Sequence, residues 1–233
     1  MAKSRHTFEA GLNDLHLYLV KMAGMVEESI DKAITALKKQ DVVLAKQVIE
    51  NDEVVDHLEK VIERKCLNLI ARQHPLAKDL RAISSALKII TDLERIADHS
   101  SDISEITIRL AEAKYAKPLV YIPKMAELAK NMVSKSIDAY VRQDVELALE
   151  VCASDDEVDD MFKTVVLDLT ASMRSDPDNI DQSTDLLFVA KYLERMGDHA
   201  TNIGEWVVYK VTGEHADVAR GTPDKSKASP FFN

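Results

Sequence analysis

Two stretches of the chain say nearly the same thing: Leu93-Glu94-Arg95-Ile96-Ala97-Asp98-His99 and Leu193-Glu194-Arg195-Met196-Gly197-Asp198-His199. In a helix, residues four apart share a face, so each copy sets two carboxylates side by side. Like charges at that spacing repel, and a helix selected for stability alone would rather carry Lys at the second position. A second acidic pair precedes each copy, Asp52/Asp56 in the first half and Asp156/Asp160 in the second. With 40 acidic residues in 233, on the order of seven such pairs arise from composition alone. Recurrence at matching places in both halves is what carries weight.

The chemistry this pattern favours is cation binding. All-oxygen ligation suits hard ions such as Mg²⁺, Ca²⁺, Mn²⁺ or iron. Several carboxylates per half exceed the charge of one divalent ion, so a site with more than one metal is the expectation. The competing account of the same residues is a solvated acidic face with Arg95 and Arg195 as partners, where exposed ion pairs contribute little. His99 and His199 follow the motif aspartates by one residue and therefore point about 100° away around the helix; an edge position fits them better than a ligand role. A di-iron centre of the ferritin kind needs Glu three residues before His, which no histidine here has. No nucleophile–base arrangement is identifiable.

The elements that position these residues are long helices. From Leu12 the apolar positions step 12, 15, 19, 22, 26, 33 and 37, a bundle seam. Gln40-Asp41 ends the first helix, a second covers about 42–72, and Pro75 precedes a third from about 76 to 114. After Pro118 the plan repeats: a helix over about 123–142, a break at Gln143-Asp144, a helix to about 174, a break at Asp176-Pro177, and a last helix over about 180–211. Asn51-Asp52-Glu53 is matched to Asp155-Asp156-Glu157, and Asp56 to Asp160. This is a tandem duplication of a three-helix unit. The expected fold is all-α: one three-helix repeat over 7–116, a second over 120–212, and a polar tail over 213–233. Along the third helix a stripe of Ile83, Leu87 and Ile90 gives way to Glu94, Ala97, Ser101 and Ser104; in the last, Leu187 and Ala190 lead to Glu194, Gly197, Thr201 and Gly204. Gly197 costs about 1 kcal/mol relative to Ala inside a helix, so close packing or a site is expected there.

Composition narrows the class. Net charge is −10 and no Lys/Arg cluster offers a phosphate-neutralising surface, which argues against nucleic acid. No stretch approaches the roughly 20 apolar residues of a spanning helix, and Met1–His6 leads into no secretory apolar region; the expected location is the cytoplasm. Cys66 and Cys152 are read as small core residues, and the glycines form neither of the familiar phosphate-cradling motifs.

The duplicated three-helix plan and the paired D/E-x-x-x-D motifs, with Leu-Glu-Arg-Ile/Met-Ala/Gly-Asp at 93–98 and 193–198, resemble the PhoU family of bacterial phosphate-uptake regulators. The resemblance runs from about Phe8 to Thr212. It implies a non-enzymatic cytoplasmic homodimer that represses the phosphate-starvation response, linking a Pst-type phosphate ABC transporter, through its ATPase subunit, to a PhoR-type sensor kinase. It also implies a multinuclear cluster of iron, manganese, magnesium or zinc on Asp52, Asp56, Glu94 and Asp98, and on Asp156, Asp160, Glu194 and Asp198. Glu59, Asp102, His99, His199 and Asn202 are the candidates for additional contacts. Glu59 is matched to Lys163 and Asp102 to Asn202, so the second site is expected to carry less negative charge. The alternatives are a carboxylate-bridged metal-dependent hydrolase and a purely structural helical scaffold.

Overall fold

The computed structural model describes residues 2–73 and 75–214; the tail expected beyond that, 215–233, lies outside the described residues. The chain is all-α, with no strand among them. Helices α1 (Ala2–Lys39), α2 (Val42–Gln73) and α3 (Ala77–Leu110) form the first repeat. The second contains α4 (Tyr121–Arg142), α5 (Val145–Ala153), α6 (Asp155–Ser175) and, after a single 3₁₀ turn at Pro177–Asn179, α7 (Ile180–Thr212).

The seam of α1 is buried as its spacing requires: Leu15, Leu19, Met22, Val26, Ala33 and Leu37 are all at most 2% exposed. Both first connections use the same device. Gln40 and Gln143 take left-handed φ values of 53° and 55°, and the next residue caps the following helix. Asp41 Oδ1 accepts from Val43 and Leu44 N–H, and Asp144 Oδ1 from Leu147 N–H. Pro123 falls within the first turn of α4, where its missing N–H would have had no helical partner anyway; the helix therefore begins two residues before the expected start.

Two expectations need correction. The third helix stops at Leu110 rather than near Lys114, because the connection is tied down. Gln40 Nε2 donates to the Leu110 and Ala113 carbonyls at 2.5 and 2.6 Å, and Tyr115 Oη donates to the Leu37 carbonyl at 2.6 Å. The single helix expected from 145 to 174 is interrupted at Ser154, whose hydroxyl donates to the Glu150 carbonyl at 2.9 Å.

The repeats pack like against like, α1 against α4 and α3 against α7, and among the described residues the α3–α7 pairing is the most extensive helix contact. Buried apolar side chains of both repeats join in one continuous core, with Ile83, Ile90, Leu93 and Ile96 on one side and Val189, Leu193, Met196 and Ile203 on the other. Leu76, just before α3, and Leu80, in its first turn, stay exposed.

Close approach explains Gly204 of α7, whereas Gly197 has room for a methyl in ordinary contact. A Cβ at Gly197 would lie 3.4 Å from Asp155 Oδ1 and from Val158 Cγ1. At Gly204 it would lie 2.9 Å from the Ala148 carbonyl oxygen and 3.0 Å from Cys152 Sγ. Backbone cannot yield as a side chain can. Gly204→Ala is therefore expected to destabilise the protein: overpacking of about 1–3 kcal/mol outweighs the roughly 1 kcal/mol that Ala gains in helix propensity. Chemical denaturation of the variant against the parent measures it.

Candidate metal centre

Packing α2 antiparallel to α3 brings their acidic faces together. Asp52 and Asp56 are one turn apart on α2, flanking the buried Val55; Glu94, Asp98 and Asp102 are successive turns of α3. One carboxylate oxygen each of Asp52, Asp56 and Asp98 fall within 4.8 Å of one another. Among the described residues, no other trio of acidic, histidine or cysteine ligand atoms lies so close. Asp56 Oδ1 is shielded from solvent and meets no hydrogen-bond donor. A buried anionic oxygen without a partner is costly, and a cation seated among the three would satisfy it.

The protonation balance reflects that crowding. Partial burial first, then the charges of Asp98 and Asp56, push the Asp52 carboxyl up to about 6. Burial, followed by Asp98, pushes Glu94 up to about 7, against the opposing pull of Arg95. Asp98 and Asp102 are raised as well, chiefly by burial. Counter-charge within the protein is weak here. Arg95 reaches Glu94 at 3.5 Å and Asp98 at 3.4 Å, from a side chain 56% exposed. Glu59 extends the cluster by a turn and accepts a 3.2 Å hydrogen bond from Thr91 Oγ1.

The second repeat builds the corresponding face on α6 and α7, with a shift of register. Asp156 and Asp160 are exposed and turned away, Asp160 being paired with Lys163 at 2.7 Å on the surface. Asp155 and Asp159 face α7 instead. Burial and then the charges of Asp198 and Asp159 push Asp155 up to about 6. Asp198 is raised by burial and by Glu194, with Asp159 also acting on it. The correction is one residue. Gln40 and Gln143 are 103 positions apart, and the same interval relates Asp52 to Asp155, Val55 to Val158 and Asp56 to Asp159. Val55 and Val158 are each 1% exposed, so the buried valine inside D-x-x-V-D was the signal that distinguishes the inward register. The same interval sets Phe162, not Lys163, opposite Glu59.

The two histidines stand at the repeat interface rather than among the carboxylates. His99 is 5% exposed, stacked on Tyr192 with ring centroids 5.3 Å apart, and 5.7 Å from the His199 ring. Burial above all, then Arg195 and His199, hold it down at about 4, so it is neutral. Its Nδ1 lies 3.4 Å from Asp102, one of the charges acting on Asp52. His199 Nδ1 lies 2.9 Å from Asp92 Oδ1, and Asn202 Nδ2 donates to the same oxygen at 3.1 Å. Asp92 was not among the residues singled out from sequence; it ties α3 to α7.

Comparison with known proteins gives these features a setting. The PhoU domain family matches residues 19–107 and 122–207. The chain belongs to the PhoU family. It is 41% identical over 216 residues to the phosphate-specific transport system accessory protein PhoU homolog of Clostridium acetobutylicum, covering 92% of this chain and 99% of that one. To the homolog of the same name from Aquifex aeolicus it is 43% identical over 196 residues, covering 84% and 89%. The crystal structure of PhoU from Pseudomonas aeruginosa superimposes with a TM-score of 0.86 at 37% identity, over 89% of this chain and all of that one. One family match falls within each repeat.

The raised carboxyls give the metal-free protein a definite pH response. Between their ordinary range and about pH 7 the folded chain holds protons that the unfolded chain has released, so stability falls as pH rises through that window. His99, lowered to about 4, and His16, also lowered chiefly by burial, act in the opposite sense below the ordinary histidine range, but as two groups against the six raised carboxyls of Asp52, Glu94, Asp98, Asp102, Asp155 and Asp198. In chelator, the melting temperature is expected to drop from pH 6 to pH 7.5, and Glu94→Gln to flatten that drop. Thermal melts of both proteins at the two pH values check it.

Proposed function

We propose that this protein is a metal-carrying accessory of a phosphate ABC transporter, acting as an adaptor between the transporter's ATPase subunit and a sensor histidine kinase and thereby repressing the phosphate-starvation response. Relatives alike over nearly their whole length bear names that assign them to phosphate-specific transport systems, and this supports the transporter side. No described helix is long and apolar enough to cross a membrane, which agrees with a partner that docks. The cytoplasmic location and the homodimer implied by the family resemblance belong to the same reading.

The observation that carries the metal part is the Asp52–Asp56–Asp98 trio with its unpartnered Asp56 oxygen. The donors fit a hard cation in type, closeness and charge. Asp52 and Asp56 from α2, with Glu94 and Asp98 from α3, would hold it; Asp155, Asp159, Glu194 and Asp198 would do so in the second repeat. Bound cations supply the positive charge that lets these carboxylates ionise together. The protein's own residues fix the α2–α3 and α6–α7 spacing and set which surface is shown to a partner. Binding rather than catalysis is the role proposed: both thiols are buried and pushed by burial to about 12, far from nucleophilic use at neutral pH.

Elemental analysis of the protein, paired with capture assays against the transporter ATPase and the kinase cytoplasmic domain, tests the reading. Metal is expected in the parent, with a loss of at least about half of it in Asp52→Asn/Asp98→Asn and weaker capture of a partner. A metal-free parent, or capture of neither partner with metal supplied, overturns it.

A further inference from the structure

The two acidic clusters are not chemically equivalent, and the difference centres on Lys191. Thr91 and Lys191 occupy matching positions, each three residues before the motif glutamate. In the first repeat Thr91 supports Glu59 through a 3.2 Å hydrogen bond. In the second repeat Phe162 stands where Glu59 would be, and Lys191 Nζ lies 5.6 Å from the centre of its ring. That ammonium grips Glu194 through both oxygens, at 2.7 and 2.5 Å. Glu194 is only 15% exposed, so its carboxylate is largely withdrawn from water while the ammonium is half exposed, and Lys191 also acts on Asp198. The first cluster has no cation held so closely: Arg95 stays at 3.4–3.5 Å from Glu94 and Asp98, through one oxygen of each. The first cluster alone draws three ligand atoms within 4.8 Å, with Glu59 and Asp102 nearby, whereas the second offers Phe162 and Asn202 at those places.

We propose that Lys191 is a built-in counter-ion of the second cluster. Its ammonium neutralises carboxylates that the first cluster leaves to a metal ion, so the two repeats take up cations unequally: the first fills first, and the second fills only when Lys191 swings outward. The side chain is 49% exposed, which gives it a path into solvent. Phe162 reinforces the effect by removing a ligand and lowering the polarity around the pair. This inference rests on the reading that the carboxylates bind cations. It adds that ligand charge, through one lysine and one phenylalanine, ranks the two sites, as ligand charge count ranks the affinity of other oxygen-ligated cation sites.

The test uses the full chain and Mn²⁺, followed by calorimetry, with the bound ion counted by electron paramagnetic resonance. The parent is expected to show two classes of site differing by about tenfold or more in affinity. Asp52→Asn/Asp98→Asn removes the tighter class and leaves the weaker. In that background, Lys191→Thr/Phe162→Glu is expected to tighten the remaining class by about tenfold or more and to raise its Mn²⁺ count, while Lys191→Arg leaves it unchanged. Thr91→Lys in the parent is expected to weaken the tighter class and serves as the check if the second-repeat variants lose their helical circular dichroism. If Mn²⁺ binds but neither exchange at positions 91 and 191 alters affinity or count, Lys191 is no counter-ion and the cation reading stands. If the parent binds no Mn²⁺ at all, both fail together.

Discussion

Carboxylates held against one another across a helix interface, half out of water, set the terms for the rest of this molecule. Asp52, Asp56, Glu94 and Asp98 repel, and burial sharpens that repulsion because the charged forms lose hydration. Burial first, and this repulsion second, raise the carboxyls of Asp52 and Glu94. Nothing local favours the arrangement; each helix would be more stable with a basic residue in the second place. It persists because the apolar seams on either side, Val55 and Ile62 on α2 with Ile90 and Ala97 on α3, lock the helices in register. The core forces the acids together.

The duplication places this arrangement twice and joins the copies through α3 and α7, the two helices that each carry a Leu-Glu-Arg motif. His99 and His199 lie where the copies meet, with Tyr192 and Asp92 at matching positions on the opposing helices. That polar layer lies directly behind the acidic faces: Asp102 contacts His99 on one side and acts on Asp52 on the other. Charge placed in either cluster is thus one residue removed from the contact that unites the repeats.

Divergence after duplication is concentrated at the rims of the clusters. Glu59 became or came from Phe162, Thr91 from Lys191, Asp102 from Asn202, while the central acids were kept. A lysine folded back on Glu194 gives one repeat an internal answer to the repulsion that the other leaves open. The asymmetry is invisible in the shared motif and plain in the contacts.

Helical periodicity, the Gln-Asp and X-Pro breaks and the echoed motif were enough to establish an all-α tandem repeat and the identity of α3 and α7 as acidic helices. Those conclusions depend on local rules, three- and four-residue spacing and turn chemistry, which a chain carries wherever it folds. The facing register on α6 did not follow from them. Asp155-Asp156 and Asp159-Asp160 offer two acidic pairs at the same spacing, and only the burial of Val158 against α7, beside Gly197, decides which pair turns inward. The histidines likewise could not be placed from sequence, because a step of 100° around a helix leads to solvent or to another helix depending on what packs there. Which residues recur, and at what spacing, is written in the chain; which of them meet is decided by the close approach of helices from distant parts of it.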